Sequence, residues 1–578
     1  MKFLNVFFLI SFSILTSCNS GEEKCGNSSQ ELETLIKSYE ERESYDKKEY
    51  PLGLYTREHY KAEAKYAEDQ LQFFGCIKME ELSETEQISA KLLQFVLEDQ
   101  VDYYKFERFL NPLLSDSGFH SSLNYQIRPI YDDFGAKEYL KKLNALPQFV
   151  DQHFVNLREG LAKGVSQPKV IFKGYESTYN DHIVADFEES PFYKPFENLP
   201  TSFTEAKRDS ILSAAKIVIE QKVVPQFKRI KTFFETEYLP KTRESLGISE
   251  TPNGEAYYQN RINFYTTSSQ YSADEIHQIG LKEVARIKAE MQKIIKELNF
   301  KGSFADFFKF LRTDTQFYAT SPKELLMIAR DMAKRADAQL PKFFKKLPRK
   351  PYGVAPVPDA IAPKYTAGRY VGTSKNSTEP GYYWVNTYDL PSRTLYTLPS
   401  LTVHEAVPGH HLQGSLNNEL GDSIPQFRRN LYLSAYGEGW GLYSEFLADE
   451  MGMYTTPHEQ FGKFTYEMWR ACRLVVDTGI HAKGWTREQV IQYMSENTAL
   501  SIHEINTETD RYISWPGQAL SYKIGELKIR ELRKKAEKQL GSEFNIRDFH
   551  EVVLEQGTVT LAILEQRINT YIQKTKDE

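Results

Sequence analysis

The sequence predicts a mainly α-helical fold with one small β-sheet, and three observations lead to this prediction. The chain has 578 residues with 40% hydrophobic content, which is enough to bury a large core. Apolar residues recur at three- and four-residue spacing over long segments, as in amphipathic helices. A short run at residues 381–387 is instead rich in β-formers.

The first residues predict a secretion signal with a lipid anchor. The apolar run at residues 3–15 is too short for a permanent transmembrane helix and has the length of a signal-peptide core. It leads into Leu-Thr-Ser-Cys at residues 15–18, which resembles the bacterial lipoprotein box. We therefore expect a lipoprotein signal peptide over residues 1–17, lipidation of Cys18 and a polar tether over residues 18–29. The protein would then be anchored to a membrane of the bacterial cell envelope, outside the cytoplasm. The alternative is an ordinary secretory signal with a chance cysteine.

Charge and cysteine content argue against other classes of protein. A net charge of −7 over this length is mild and provides no basic surface for nucleic acid. After Cys18, the remaining cysteines are Cys25, Cys76 and Cys472, which are too scattered for a disulfide framework. None of them lies near the histidines described below. The alternative is a single bridge between Cys25 and Cys76.

The longest helical pattern begins at a capping box. Ser272 is followed three residues later by Glu275, and an apolar stripe then continues to Leu298. We interpret this stripe as part of the core. Similar patterns cover residues 206–246, 322–340 and 525–540.

These patterns divide the chain into two regions. We expect a helical N-terminal region over residues 30–340, and a C-terminal region over residues 341–578 that carries the chemical motifs. Proline and glycine cluster between residues 349 and 381, which predicts an irregular stretch at the boundary.

A histidine-rich segment carries the most specific chemical signal. His404, His410 and His411 are three of the chain's twelve histidines, and Glu405 directly follows the first. Neutral imidazoles bind Zn²⁺, and an adjacent carboxylate can serve as a general base. The pattern is similar to the His-Glu-x-x-His motif of zinc peptidases, but the second histidine is six residues away instead of four. Joint ligation therefore requires a break in the helix, for which Pro408-Gly409 is suited. The alternative is a helix boundary followed by surface or core histidines.

A second segment offers a third ligand. Glu438 follows His410 by twenty-eight residues and lies among three aromatic residues, where an unpaired carboxylate would be costly. Zinc peptidases of the gluzincin type take their third ligand from a Glu on a following helix at about this separation. Glu445, seven residues later and on nearly the same helix face, could hydrogen-bond a ligand or replace one. The alternative is an amphipathic helix with solvated acidic side chains.

These residues also carry a family resemblance. The segment from His404 to Gln413, together with Glu438-Gly439-Trp440, is similar to the bacterial family called domain of unknown function 885, which is grouped with the gluzincin-like metallopeptidases. The resemblance implies a single domain over about residues 30–570, with a helical metallopeptidase-like fold, a central cleft and the small sheet next to the zinc-site helix. Aligning the Gly-His of related peptidases onto Gly409-His410 makes His410 the second zinc ligand, with His404 and Glu438 as the others and His411 as the alternative. The further matching segments are residues 111–120, 157–168, 275–280 and 516–525.

The β-forming run ahead of the motif is expected to contact substrate. In gluzincins an edge strand beside the zinc helix pairs with the extended substrate backbone. The resemblance therefore implies that residues 381–387 form this edge strand and that Tyr383, Trp384 and Asn386 contact substrate. The alternative is an ordinary strand packed on the core.

Catalysis at a zinc site needs groups besides the ligands. Glu405 would accept a proton as a metal-bound water attacks the substrate carbonyl, and would then pass it to the leaving amine. The oxyanion needs a donor, which in related peptidases is a Tyr or His on a later helix, and Tyr522 and His481 are the candidates. Asp477, four residues before His481, could orient that imidazole or serve as an alternative ligand. Candidate anchors for a substrate carboxylate are Arg511 and Lys523.

The function that these features predict is a membrane-anchored zinc peptidase that hydrolyses oligopeptides. We expect Zn²⁺ as cofactor, a peptide as substrate, attachment to a membrane through the lipid, no nucleic acid and no obligate protein partner. Two alternatives remain open. One is an inactive lipoprotein that binds peptides or glycans on a peptidase scaffold, and the other is a metal-dependent hydrolase of another amide or ester.

Overall fold

The computed structural model describes residues 26–359, 361–374 and 377–577. It is mainly helical with one small sheet, which confirms that part of the prediction. The signal peptide, Cys18, Cys25 and most of the tether lie outside the described residues. Cys76 is disulfide-bonded, and Cys472 is a buried free thiol. In the part of the chain that the structure describes, no helix has both the length and the apolar character to cross a membrane.

Helices make up most of the chain before the sheet. Ser272 and Glu275 form the predicted capping box, in which each side chain bonds the backbone N–H of the other residue. The predicted helical pattern at residues 322–340 is also confirmed, and the one at residues 206–246 is helical as far as Lys241. In order, the helices are α1 (Ser28–Glu41), α2 (Arg57–Phe73), α3 (Glu84–Lys105), α4 (Asp133–Asn144), α5 (Leu146–Lys163), α6 (Ser177–Asn180), α7 (Lys194–Glu197), α8 (Glu205–Val218), α9 (Val224–Phe233), α10 (Gly254–Thr266), α11 (Ala273–Glu297), α12 (Phe304–Thr313) and α13 (Pro322–Phe343).

The helices after the sheet surround one buried helix. They are α14 (Leu398–Glu405), α15 (His410–Asn418), α16 (Gln426–Asn430), α17 (Ser434–Glu450), α18 (Pro457–Lys483), α19 (Arg487–Asn497), α20 (Ile502–Ser514), α21 (Ser521–Leu540), α22 (Ile546–Leu554) and α23 (Leu561–Asp577). Helix α18 is buried along most of its length and contacts α11, α14, α17 and α21. It is therefore the central helix on which the other elements are arranged.

The sheet has three short strands, β1 (Tyr352–Pro356), β2 (Gly368–Val371) and β3 (Gly381–Val385). Their order is β1-β3-β2, with β1 parallel and β2 antiparallel to β3. The expectation that residues 381–387 form an edge strand is wrong, because β3 is the central strand. Its two partners come from the proline- and glycine-rich stretch that was expected to be irregular, and β2 is the edge strand that contacts α14.

Two of the three residues of this segment that were expected to bind substrate are buried. Tyr383 is buried on the core face of the sheet. Asn386 is also buried, and its amide donates to the carbonyls of residues 362, 365 and 366, which fixes the loop before β2. Both side chains are therefore structural, and of the three proposed contacts only Trp384 is partly exposed.

Two apolar cores meet at the helix that carries His404. Leu398 and Leu401 of α14 belong to a core that also includes much of α18. Val403 belongs to a second core, which joins α1 and α3 to α17 and α21–α23. Because opposite faces of α14 are buried in different cores, the end of this helix is held firmly at their boundary.

Candidate metal centre

His404, His410 and Glu438 converge at the end of α14. Their ligand atoms all lie within 4.8 Å of one another. The Glu438 carboxylate oxygen Oε2 is 3.5 Å from His404 Nε2 and 3.4 Å from His410 Nε2. The two imidazole rings are nearly perpendicular, with an interplanar angle of 86°. Among the described residues, no other group of His, Cys, Asp and Glu side chains has such a spacing.

A break between α14 and α15 brings the two histidines together. Helix α14 ends at Glu405 and α15 begins at His410, and the Val407-Pro408 peptide bond between them is cis. The Gly409 N–H donates to the Val403 carbonyl at 2.9 Å. A Cβ atom at position 409 would lie 1.9 Å from the His404 carbonyl oxygen, so this close approach requires glycine. The predicted break at Pro408-Gly409 is therefore confirmed.

Glu438 lies on α17, and two of the glycines around it allow close packing. A Cβ atom at Gly439 would lie 2.6 Å from backbone atoms of Gly525, so α17 and α21 touch through their backbones here. A Cβ atom at Gly441 would lie 2.7 Å from the His404 ring, so α17 also lies directly against that imidazole. The glycine-rich sequence thus brings Glu438 close to the histidines.

His404 contacts a carboxylate at each ring nitrogen. Its Nδ1 is 2.7 Å from Glu445 Oε1, and its Nε2 faces Glu438. Burial alone would lower the pKa of His404, but hydrogen bonds to Glu438 and Glu445 raise this pKa to about 9. Glu445 therefore lies against a candidate ligand, as expected, and the Arg470 Nη2 lies 3.5 Å from the same Oε1.

Glu405 is held at the edge of the sheet. Its Oε2 accepts a hydrogen bond of 2.7 Å from the backbone N–H of Tyr370 in β2. The residue is buried and lies close enough to His404 to affect the charge of that imidazole. The proposed general base thus has one fixed oxygen, beside the candidate ligands.

Tyr432 was not identified from the sequence. Its hydroxyl donates to Glu438 Oε1 at 2.9 Å, while the other carboxylate oxygen faces the histidines. The phenol is 56% exposed, so it borders open space next to the cluster. Tyr432 precedes α17 and has no place in its helical periodicity, and six residues separate it from Glu438. Only the position of this tyrosine just before the Glu438 helix could have suggested it.

Tyr522 and Arg369 each lie near residues of the candidate site. Tyr522 is partly exposed, and the Arg473 guanidinium lies 4.3 Å from its ring centroid. It is near enough to Tyr432 to act on that phenol electrostatically. Arg369 is an exposed residue of β2 whose charge interacts with Glu405 and Glu438. Tyr522 therefore remains a candidate donor, and Arg369 is a cation that the sequence analysis missed.

His411 lies outside the cluster. It is buried, and its Nδ1 is 3.2 Å from the Tyr370 hydroxyl and 3.2 Å from the Ser415 hydroxyl. Burial lowers the pKa of His411 to about 4. Of the two histidines left open by the sequence, His410 is therefore the one that faces Glu438.

His481 and Asp477 do not form the expected pair, and neither belongs to the cluster. His481 Nδ1 accepts from the Ile248 N–H, so its Nε2–H donates to the Tyr512 carbonyl. Asp477 accepts from the Tyr258 hydroxyl and the Gly517 N–H. Both residues are fully buried. Since His481 is eleven residues beyond Arg470 on α18, it lies roughly 16 Å further along this helix. The roles proposed for both residues are therefore wrong.

Arg511 and Lys523 already have acidic partners. Arg511 binds both oxygens of Glu508 at 3.1 and 2.8 Å. Lys523 is fully buried and donates to Glu467 at 2.8 Å and to Glu526 at 2.9 Å, with Glu283 at 3.2 Å. Lys523 is thus a structural contact between helices and not a substrate anchor, and Arg511 has no free face for a bidentate carboxylate.

Comparisons with known proteins identify relatives without assigning an activity. A structure from Colwellia psychrerythraea, described as a "putative lipoprotein", is 29% identical, covers 95% of this chain and 97% of its own, and superimposes with a TM-score of 0.84. A "putative lipoprotein of unknown function" from Shewanella oneidensis is 18% identical, covers 93% and 96%, and has the same fold with a TM-score of 0.67. No curated protein matches the chain. The model of a family described as bacterial protein of unknown function (DUF885) matches residues 42–568, and the chain belongs to that family.

Proposed function

We propose that this protein is a zinc-dependent peptidase of the cell envelope, with His404, His410 and Glu438 as the metal ligands. The observation that carries the proposal is the spacing of their ligand atoms. Two ligands bound to zinc at about 2.1 Å with tetrahedral angles lie about 3.4 Å apart. The Glu438 oxygen lies 3.5 and 3.4 Å from the two imidazole nitrogens, which matches this separation, and the three ligand atoms all lie within 4.8 Å of one another.

Hydrogen bonding around the ligands supports the same proposal. A carboxylate that accepts the second ring N–H of a ligating histidine fixes its tautomer and makes the free nitrogen more basic. Glu445 is placed to do this for His404. Tyr432 donates to the Glu438 oxygen that faces away from the histidines, which leaves the other oxygen for the metal. A bound zinc ion would supply a Lewis acid that polarises the scissile carbonyl and acidifies water.

Glu405 is the proton carrier in this proposal. One of its oxygens is occupied by the Tyr370 N–H, and the other is free to accept a proton from the attacking water. The same carboxyl group then returns the proton to the leaving nitrogen as the peptide bond breaks. Tyr432, Tyr522 and Arg369 border the site and are the candidate donors to the developing oxyanion.

The outer edge of β2 is the proposed place for the peptide backbone. Because the Tyr370 N–H points to Glu405 and not to β3, this edge faces the candidate metal centre. An extended peptide that adds to the edge would lie across the site. Membrane attachment through Cys18 is part of the same proposal, and it is supported by the relatives described as lipoproteins.

Metal content and peptide cleavage together test this function. We expect the chain from residue 19 onward to bind one Zn²⁺, and we expect His404→Ala or Glu438→Ala to lose it. Glu405→Gln should retain zinc but lower hydrolysis of short peptides by about 10² to 10⁴, the usual contribution of a positioned general base. Metal analysis and mass spectrometry of the digests provide the two readouts.

An exposed histidine provides the matched control. His503→Ala should keep both zinc and cleavage, because this side chain lies at the surface of α20. Absence of zinc after purification with added metal would contradict the proposal. Equal cleavage by the wild type and Glu405→Gln would assign the activity to another site. A zinc-loaded protein that binds peptides without cleaving them would instead be a binding lipoprotein.

A further inference from the structure

A cluster of charged side chains lies next to Glu445, whose Oε1 is close to both His404 and Arg470. Helix α18 contributes Arg470 and Arg473, one turn apart, and Glu504 projects towards them from α20. Arg393, just before α14, completes the group. We call these four residues the arginine pocket. It adjoins the candidate metal centre, because Glu445 lies 2.7 Å from His404 and 3.5 Å from Arg470.

The arginine pocket contains hydrogen-bonding groups without partners. Arg470 and Arg473 are 5% and 3% exposed, yet the Arg470 Nε and the Arg473 Nη1 have no partner among the described residues. Arg393 donates from its Nε to the Tyr388 carbonyl, and no described residue accepts from its two terminal nitrogens. The adjacent Glu445 Oε2 is likewise buried without a partner among the described residues. Buried polar groups without partners are costly, so these atoms indicate a ligand or ordered water beside them.

The acidic member of the pocket does not neutralise these arginines by contact. The Glu504 carboxylate makes no hydrogen bond or ion pair with the described residues, although the three arginines interact with it at longer range. Burial and the neighbouring Glu508 raise the pKa of Glu504 to about 7, against the effect of the arginines. Glu504 thus interacts with the three arginines without an ion pair to any of them, so their free N–H groups remain available to another acceptor.

The balance of charge between the arginines and the nearby carboxylates favours binding of an anion. Arg470 is next to Glu445, and Glu508 is shared by Arg473 and Arg511. Arg393 has no carboxylate within ion-pair distance among the described residues, and Glu504 is partly neutral near pH 7. The surroundings are therefore net positive. Guanidinium groups match the planar geometry of a carboxylate, which can accept two parallel hydrogen bonds.

We propose that the arginine pocket binds a carboxylate of the substrate, so that the preferred substrates are short peptides with a free C-terminus or an acidic side chain next to the scissile bond. This inference rests on the proposed peptidase function, because the bound carboxylate belongs to a substrate only if the protein cleaves peptides. The distances through Glu445 place the Arg470 guanidinium within roughly 10 Å of the metal position, which about three residues of extended peptide can span.

Binding to chelator-treated protein tests the pocket without any contribution from metal. Calorimetry on the full-length chain in detergent would compare acetyl-Gly-Phe with its C-terminal amide, and acetyl-Gly-Glu-amide with acetyl-Gly-Gln-amide. We expect at least one acid to bind about 10- to 100-fold more tightly than its neutral partner, the range expected for charged hydrogen bonds. The first pair reports a C-terminal carboxylate and the second reports a side-chain carboxylate.

Two variants should shift this preference in opposite directions. Arg393→Gln removes a cation and should weaken acid binding about tenfold, whereas Glu504→Gln removes a repelling carboxylate and should strengthen it. Arg330→Gln is the matched control, since Arg330 also donates to a single backbone carbonyl but lies on the exposed face of α13. Circular dichroism shows that each variant is folded.

The outcomes separate this inference from the proposed peptidase activity. Equal binding of acid and amide in both pairs, no binding at all, or unchanged preference in both variants would overturn the carboxylate site. If the acid preference appears but the zinc-loaded protein cleaves no peptide, the pocket stands and the peptidase proposal fails. If peptides are cleaved without any acid preference, the peptidase proposal stands and the pocket fails.

Discussion

His404 of α14 is fixed by residues of α17. Glu445 on α17 accepts from its Nδ1, and the absence of a side chain at Gly441 lets the same helix lie against the ring. The only nitrogen left to bind a metal is Nε2, which faces Glu438. Since few other orientations are open to this ring, little conformational entropy is lost when it binds an ion.

Replacing Glu445 by Gln tests the effect of this carboxylate on the ligand. The amide oxygen can still accept from His404, but its negative charge is gone, so the imidazole becomes a weaker ligand. We expect zinc to bind about 10- to 100-fold less tightly. Competition with a chromophoric chelator measures this change. Glu450→Gln, on the same helix but ion-paired with Arg533, should bind zinc as the wild type does. Equal affinities for all three proteins would show that Glu445 does not act on the metal.

At the scale of elements, the position of Glu438 depends on how closely two helices approach. Helices α17 and α21 touch through Gly439 and Gly525, where a Cβ atom on either residue would overlap backbone of the other helix. Tyr436 and Trp440 of α17 are buried in the second core on the adjacent turns. Side chains at the two glycines would therefore push the Glu438 helix away from α21.

Gly439→Ala should consequently destabilise the protein and weaken zinc binding together. Alanine favours the helix by about 1 kcal/mol, but its methyl group would lie 2.6 Å from Gly525. Overpacking of this kind typically costs about 1–3 kcal/mol, and backbone atoms cannot move aside as a flexible side chain could. Gly414→Ala on α15 is the control, since its nearest neighbour would be at 3.6 Å. Thermal unfolding of both variants decides the matter. A Gly439→Ala protein as stable as Gly414→Ala would show that the two helices can separate without cost.

The sequence correctly predicted the features that depend only on a few neighbouring residues. The capping box at Ser272 and the break at Pro408-Gly409 each depend on a few neighbouring residues, and both are present in the structure. Glu438 was predicted from its separation along the chain and the resemblance to known peptidases. The sheet order was not predicted, because β1 and β2 have four or five residues each and lie in a stretch rich in proline and glycine.

Contacts between distant residues explain the remaining errors. Asp477 and His481 have the spacing of a helical pair, but each binds partners from other elements instead. Lys523 resembles a free cation in sequence, yet Glu283 and Glu467 surround it from positions far along the chain. Tyr432 is recognisable only from its distance to Glu438. Helical periodicity contains no information about such tertiary partners.

At the scale of the whole molecule, Asp477 connects three parts of the chain. From near the C-terminal end of α18 its carboxylate accepts from the Tyr258 hydroxyl on α10 and from the Gly517 N–H in the turn before α21. It has no cation partner among the described residues and is fully buried. Burial therefore raises the pKa of Asp477 from 3.8 to about 7, even though both hydrogen bonds favour the charged form.

This raised pKa predicts how stability changes with pH. Between pH 3.8 and about 7 the folded protein keeps a proton on Asp477 that the unfolded chain has lost. The free energy of unfolding should therefore fall as pH rises through this window, by about 4 kcal/mol in total from this group. Asp477→Asn cannot ionise, and its amide oxygen can still accept from Tyr258 and Gly517. The stability of the Asp477→Asn variant relative to the wild type should thus increase from pH 4 to pH 8, as measured by urea unfolding. Asp331→Asn removes an exposed carboxylate on α13 and should follow the wild type. A constant difference between Asp477→Asn and the wild type across this range would mean that Asp477 is already ionised in the folded protein.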